Sequence, residues 1–219
     1  HTRIDDRVQE VVDRIAVGNT YVNRNQIGAI VGSQPFGGEG LSGTGPKAGG
    51  PHYLRRFTRL AAPHTGSGPG APMDPGAVAA ALREARPAAP ARSELLPGPT
   101  GELNRLSLFP RPPLLCLGPG AEATRAQASA VAALDGHAVA ADGLAPQALA
   151  DLPPFGAALW WGDEAGGRAR AMALAQRPGP IVPLVTGMPD TAHVHHERHL
   201  CVDTTAAGGN ASLLAGGGA

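Results

Sequence analysis

Gln34-Pro35-Phe36-Gly37-Gly38-Glu39-Gly40-Leu41-Ser42-Gly43-Thr44-Gly45-Pro46-Lys47-Ala48-Gly49-Gly50 is the stretch on which the reading of this chain turns. So many glycines mean irregular backbone that comes close to something, because glycine alone takes positive φ without cost. The exposed backbone N–H groups of such a loop suit an anion. A flexible linker is the alternative, but Phe36, Leu41 and Lys47 punctuate the stretch as anchors, which Gly/Ser linkers lack. It is not a Walker A loop: Gly40 to Gly45 has the spacing, yet Pro46-Lys47 stands where Lys-Ser/Thr is required.

Upstream of the loop, Ile4, Val8, Val11, Val12 and Ile15 recur at helical spacing among Asp5, Asp6, Arg7, Glu10 and Arg14. Thr2 is the candidate N-cap and Gly18-Asn19 the candidate C-cap. Thr20 to Asn23 reads as a short strand. Downstream, Tyr53 to Leu60 reads as a strand leaving the loop. From Ala61 to Pro99 the composition turns to Pro, Gly, Ala and Ser, a linker holding one helix from Ala77 to Arg86 that Pro87 stops. A second folded unit is expected from about Gly101. Its strands are Leu106 to Phe109, Leu114 to Leu117, Ala138 to Ala141, Ala157 to Trp161 and Ile181 to Val185. Helices run from Gly120 through Leu134 and from Ala165 to Gln176. Alternating strands and helices predict a small Rossmann-like α/β layer. The tail from Leu200 to Thr205 reads as extended.

The 219 residues leave room for one or two domains. Lys and Arg total 18, as do Asp and Glu, so no basic surplus points to nucleic acid or an anionic membrane surface. Gly (31) and Pro (22) make up about a quarter of the chain, against roughly 12% in average proteins. Aromatic residues are sparse, so the core must be built from Ala, Val and Leu. Cys116 and Cys201 sit far apart in apolar surroundings, as free thiols do in a reducing compartment, and a cytoplasmic location is expected. No apolar run is long enough to span a membrane, and His1-Thr2-Arg3-Ile4 reads neither as a signal peptide nor as an initiator methionine, hence as the start of a fragment.

Pro35-Phe36-Gly37-Gly38 followed by Ser42-Gly43 resembles the C-terminal signature of the aldehyde dehydrogenase superfamily. Gly18-Asn19-Thr20-Tyr21-Val22-Asn23-Arg24-Asn25 and Gly49-Gly50-Pro51-His52-Tyr53-Leu54 narrow the resemblance to the branch that oxidises glutamate semialdehyde. Thr204-Thr205-Ala206-Ala207-Gly208-Gly209-Asn210-Ala211-Ser212-Leu213-Leu214 resembles the terminal motif of the bifunctional proline utilization A family, and Leu96 to Glu102 the entry to the extra domain of its longer members. The resemblance implies an α/β chain in four parts. Residues 1–60 would end an aldehyde dehydrogenase domain, 61–100 form a linker, 101–199 a Rossmann-like non-catalytic domain, and 200–219 a tail whose strand joins the dehydrogenase portion. It implies that the backbone N–H groups of Gly28 and Ala29 hold the carboxylate of the semialdehyde and that Phe36 packs against its aliphatic stem. The nucleophilic cysteine, its general base and most of the NAD site would lie upstream, as would the FAD of the proline dehydrogenase part. The upstream portion would be the partner, in a homo-oligomer.

Two further patterns compete for function. Gly118-Pro119-Gly120-Ala121-Glu122-Ala123 between a strand and a helix, with Asp142 ending the next strand, is a weak dinucleotide fingerprint; a βα turn without cofactor is preferred. His193-Val194-His195-His196-Glu197-Arg198-His199-Leu200-Cys201 has zinc-ligand types, and alternation would put His193, His195 and Cys201 on one side of a strand. A polar, solvated edge is preferred, so no metal is expected. Cys116, buried, is no nucleophile. An entirely structural role, as a lid or oligomerisation module, is the alternative function.

Overall fold

The structure, a computed structural model, describes residues 1–2, 4–27, 29–58, 61–62, 68, 70–86 and 92–205. It divides into two compact units. One comprises His1–Leu54, Ala91–Phe109 and His196–Ala219; the other comprises Arg55–Pro90 and Pro110–His195.

In the first unit, helix α1 (Asp5–Arg14) carries Asp5 and Asp6 in its first turn, where they suit the positive end of the helix dipole. Its N-cap is Ile4, without a side-chain cap, and Thr2 instead accepts a hydrogen bond from the Ile4 N–H at 3.1 Å. The helix ends at Ile15, whose ψ of 136° is already extended, so Gly18 and Asn19 lie outside the helix, at the entry to the next strand. Strand β1 (Asn19–Val22) opens a four-stranded sheet of order β1-β8-β3-β2, with β2 Arg92–Leu96, β3 Glu102–Pro110 and β8 His195–Asp203. β1 and β8 run parallel, Asn19 opposite His199 and Val22 opposite Val202. The tail strand pairs with β1, but it starts at His195, ahead of the expected 200, and its other neighbour is β3, expected in the second unit; residues 206–219, which hold the rest of the terminal motif, lie outside the described residues. β2 and β3 form an antiparallel hairpin, with Ser93 and Ser107 sharing a hydroxyl hydrogen bond of 2.8 Å. The apolar core is thin: Val22, Leu200 and Val202, flanked by Val8, Val12 and Leu103.

In the second unit, β4 (Leu114–Cys116), β5 (Ala138–Ala140), β6 (Ala157–Leu159) and β7 (Leu184–Val185) form a parallel sheet of order β5-β4-β6-β7. Helices α2 (Pro75–Glu84), α3 (Gly120–Ala132), α4 (Glu164–Leu174) and the short α5 (Thr191–Val194) complete it. All of β4 and β6 is buried, the mark of a parallel strand covered on both faces. Leu115, Leu117, Ala158, Leu149 and Phe155 fill the core with Val78 and Leu82 of α2. Asp74 caps α2, accepting from the N–H groups of Gly76 and Ala77. Strand β7 is shorter than expected because Pro183 cannot donate to a ladder.

The alternating layer is present, but the units do not follow the boundaries at 60, 100 and 199. Strand β3, expected to begin the second unit, belongs to the first. The stretch from Ala61 to Pro99 is no simple linker: α2 packs into the second core and β2 pairs in the first sheet. Strand β2 carries no sequence signal because Arg92 to Leu95 are exposed; its conformation comes from the ladder with β3, not from an apolar alternation. Tyr53–Phe57 is a 3-10 helix, not a strand.

Candidate functional site

The glycine-rich loop leaves β1 and is tied back on itself. The Gln34 N–H donates to Ile30 O at 2.7 Å and the Gly32 N–H to Gly49 O at 2.8 Å. Phe36 and Ala48 form a two-bond antiparallel bridge at 3.0 and 2.9 Å. Gly49 has a φ of +71° and approaches Val31 so closely that a Cβ would stand 3.2 Å from Val31 Cα. A linker does none of this.

Polar side chains hold the loop. Asn19 donates to Pro35 O at 2.8 Å and accepts from the Gly37 N–H at 3.1 Å. Lys47, only 1% exposed, turns its ammonium inward to Gly37 O and to Asn19 Oδ1. The Lys47 N–H donates to Glu197 Oε2 at 2.6 Å, and the other Glu197 oxygen meets His52 Nδ1 at 2.5 Å. Arg198 grips Glu39 through two bonds of 2.7 and 2.6 Å and stacks over the Phe109 ring. In the same unit, Glu102 gathers Arg24, Gln34 (2.6 Å) and Asn104 (2.8 Å).

The electrostatics follow from burial. Desolvation lowers the Lys47 ammonium to about 8 against the opposing pull of Glu197 and Glu39. Burial, then the charge of Lys47, brings His199 down to about 4. Burial works against ionised Glu39 and Glu102, but Arg198 holds the first below the usual carboxylate range, and Asn104, Gln34 and Arg24 hold the second there. Both thiols are raised, Cys116 to about 12 by burial and Cys201 to about 11 by burial and the charge of Glu102. Neither cysteine has the depressed pKa that an activated nucleophile needs.

Of the expected substrate residues, Ala29 is exposed, Phe36 is 54% exposed between two tethered neighbours, and Gly28 lies outside the described residues. Leu41, expected to anchor the loop, is instead exposed. Composition did not single out Asn19, Glu39 or Glu197 for the loop. One signal could have found the buried strut: Lys47 is the sole lysine among 18 basic side chains.

The two competing patterns resolve differently. In the second unit, Asp142 Oδ1 accepts from the Gly120 N–H at 2.9 Å, and Gln127 bonds both the N–H and the carbonyl of Gly118. The two turn donors that would face a pyrophosphate, the Gly118 and Gly120 N–H groups, are taken by an amide and a carboxylate of the chain itself. These residues do not fit NAD. In the histidine-rich stretch, His193 sits in α5, in a capping box with Asp190. His195, His199 and Cys201 are buried in β8, between β1 and β3, so the stretch is no solvated edge. Among the described residues no three His, Cys, Asp or Glu side chains gather as metal ligands, and no helix is long and apolar enough to cross a membrane.

Residues 1–62 match the aldehyde dehydrogenase family. The chain is 38% identical, over 98% of its length, to the bifunctional protein PutA of Escherichia coli strain K12, and 38% identical to that of Rhizobium meliloti. It spans about a fifth of the length of these relatives. Over 55 residues it is 56% identical to the human mitochondrial delta-1-pyrroline-5-carboxylate dehydrogenase, covering 24% of this chain and 10% of that protein. Among solved structures, Proline Utilization A (PutA) from Corynebacterium freiburgense aligns over 93% of this chain and 22% of its own, with a TM-score of 0.52 and 23% identity, a likeness of fold.

Proposed function

We propose that the chain is a C-terminal part of a PutA-type protein of the aldehyde dehydrogenase superfamily, and that it serves a longer enzyme that oxidises L-glutamate γ-semialdehyde to glutamate. Its contribution is the glycine-rich loop. Backbone N–H groups at Gly28 and Ala29 hold the substrate carboxylate, and Phe36 lies against the aliphatic stem. The observation that carries this reading is Phe36 itself: a large apolar ring, half exposed, on backbone fixed at both sides, where Pro35 O accepts from Asn19, Gly37 O accepts from Lys47, the Gly37 N–H donates to Asn19, and Phe36 pairs with Ala48. Rigid backbone that presents an apolar side chain outward is what a substrate wall requires.

The chain supplies no nucleophile, since both thiols are buried and raised. The reactive cysteine, the NAD site and the FAD of a proline dehydrogenase activity belong to other parts of the longer protein, a cytoplasmic homo-oligomer. The purified 219-residue chain, given NAD and glutamate semialdehyde, should therefore form no NADH, while the longer protein does. Steady turnover by the chain alone would refute this assignment.

The second unit is better described as a non-catalytic module, a lid or assembly element. The occupied Gly118–Gly120 turn favours that second reading, because its amides are satisfied from within by Asp142 and Gln127.

A further inference from the structure

The chain has 18 basic side chains, and all but Lys47 are arginine. Among the described residues that lone lysine is also the largest of the fully buried side chains. A buried ammonium is costly, and the hydrogen bonds of Lys47 Nζ run to a carbonyl and an amide oxygen, both neutral. Replacement of such a group by an apolar one is often harmless to stability, so a specific geometric task is the reason to look for.

The surroundings define that task. Lys47 lies on the returning leg of the loop, and Gly37, whose carbonyl it holds, on the outgoing leg. Asn19 of β1 accepts from both the Lys47 ammonium and the Gly37 N–H. Glu197 of β8 fixes the Lys47 backbone from the other side. A Cβ on Gly18 would stand 2.0 Å from Gly37 O and 2.7 Å from Lys47 Nζ, so the backbone of Gly18 closes one side of the ammonium. A compact point charge with three donors fits there. A planar guanidinium, broader and with its donors in a fixed fork, does not.

We infer that Lys47 and Glu197 are positioning residues for the semialdehyde site, a strut between β1, β8 and the glycine-rich loop that sets where the Phe36 ring stands. The inference rests on the proposed role of Phe36, and its consequences separate from that role. Lys47→Arg, an ordinarily mild exchange in an arginine-rich chain, should be as harmful as Lys47→Met. Glu197→Gln keeps an acceptor for the Lys47 N–H and should be milder than Glu197→Ala.

Two measurements test it. In the longer protein, Lys47→Arg and Lys47→Met should each raise KM for glutamate semialdehyde by about tenfold or more, with KM for NAD unmoved and kcat changed less, as loss of substrate packing does. In the 219-residue chain, [15N]lysine labelling gives a single amide signal, that of Lys47. Glu197→Ala should shift it and speed its hydrogen exchange, and Glu197→Gln should retain most of the protection. A wild-type semialdehyde KM in Lys47→Arg overturns the positioning role, and an unmoved amide signal in Glu197→Ala overturns the strut. If the amide responds while the semialdehyde KM stays put in both Lys47→Met and Phe36→Ala, the strut stands as a structural device, its positioning role is overturned, and the substrate reading of the loop fails with it. Tryptophan fluorescence of Trp160 and Trp161, both in the second unit, checks that each variant still folds there.

Discussion

The two units are stabilised by opposite means. The second encloses an apolar core of Leu115, Leu117, Ala158, Phe155 and their neighbours and satisfies the amides of its Gly118–Gly120 turn internally. The first has a small apolar cluster, Val22, Leu200 and Val202, and it is knit by Asn19, Lys47, Glu197, Glu39 with Arg198, and Glu102 with Arg24. It also leaves Ile27, Val31, Leu41 and Leu54 in the open. A hydrophobic core tolerates approximate shape, whereas a buried polar network must be satisfied in full and so fixes one geometry. That is the arrangement expected of a loop that must hold its backbone still.

The comparison can be broken by substitution, and the chain supplies a spectroscopic label for each half: both tryptophans lie in the second unit and both tyrosines, Tyr21 and Tyr53, in the first. Leu115→Ala should have the largest effect, a loss of about 2–5 kcal/mol in the transition followed by tryptophan fluorescence, since Leu115 is fully buried. The tyrosine signal should keep its midpoint. Gly18→Ala comes next. The new methyl collides with backbone at Gly37 O and with the Lys47 ammonium, so about 1–3 kcal/mol should be lost from the first unit. A shift confined to tryptophan would reverse the assignment.

Acid gives a smaller and graded effect. His199 titrates at about 4 in the folded chain and near 6.5 unfolded, so the unfolded state takes up the proton first. Its contribution is intact above 6.5 and is lost as pH falls from there toward 4. Denaturation followed by tyrosine should show this slope, and His199→Gln should flatten it; an unaltered slope in the variant would place the acid sensitivity elsewhere. Both thiols should resist a thiol reagent at about pH 8 until the chain unfolds, as raised and buried groups do. Arg168→Ala should be nearly silent, changing stability by less than about 0.5 kcal/mol, because the Arg168–Glu164 pair is exposed on both sides.

How much of this was legible in the sequence divides along the same line. The second unit could be read almost strand by strand, because Leu114 to Cys116 and Ala157 to Leu159 are short apolar runs bounded by glycine and proline, and burial on both faces is written in composition. In the first unit, α1 and β1 were readable from periodicity, and the glycine-rich loop from its glycines. The hairpin strand β2 was not, since Arg92, Ser93 and Glu94 carry no apolar signal and only the ladder with β3 makes them a strand. The burial of His199 and Glu197 was also hidden. Polar residues in β8 look solvated until it is known that the strand lies between β1 and β3. Long-range pairing of residues 19–22 with 199–202 is the fact that local pattern could not supply.

The loop as a substrate wall is the central claim, and Phe36 is where it is most directly measured. In the longer protein, Phe36→Ala should raise KM for glutamate semialdehyde by about 10- to 200-fold, the loss of about 1–3 kcal/mol of packing against the aliphatic stem. KM for NAD should stay as it was. Unchanged semialdehyde kinetics in that variant would contradict the claim, and place the exposed ring of Phe36 outside the site.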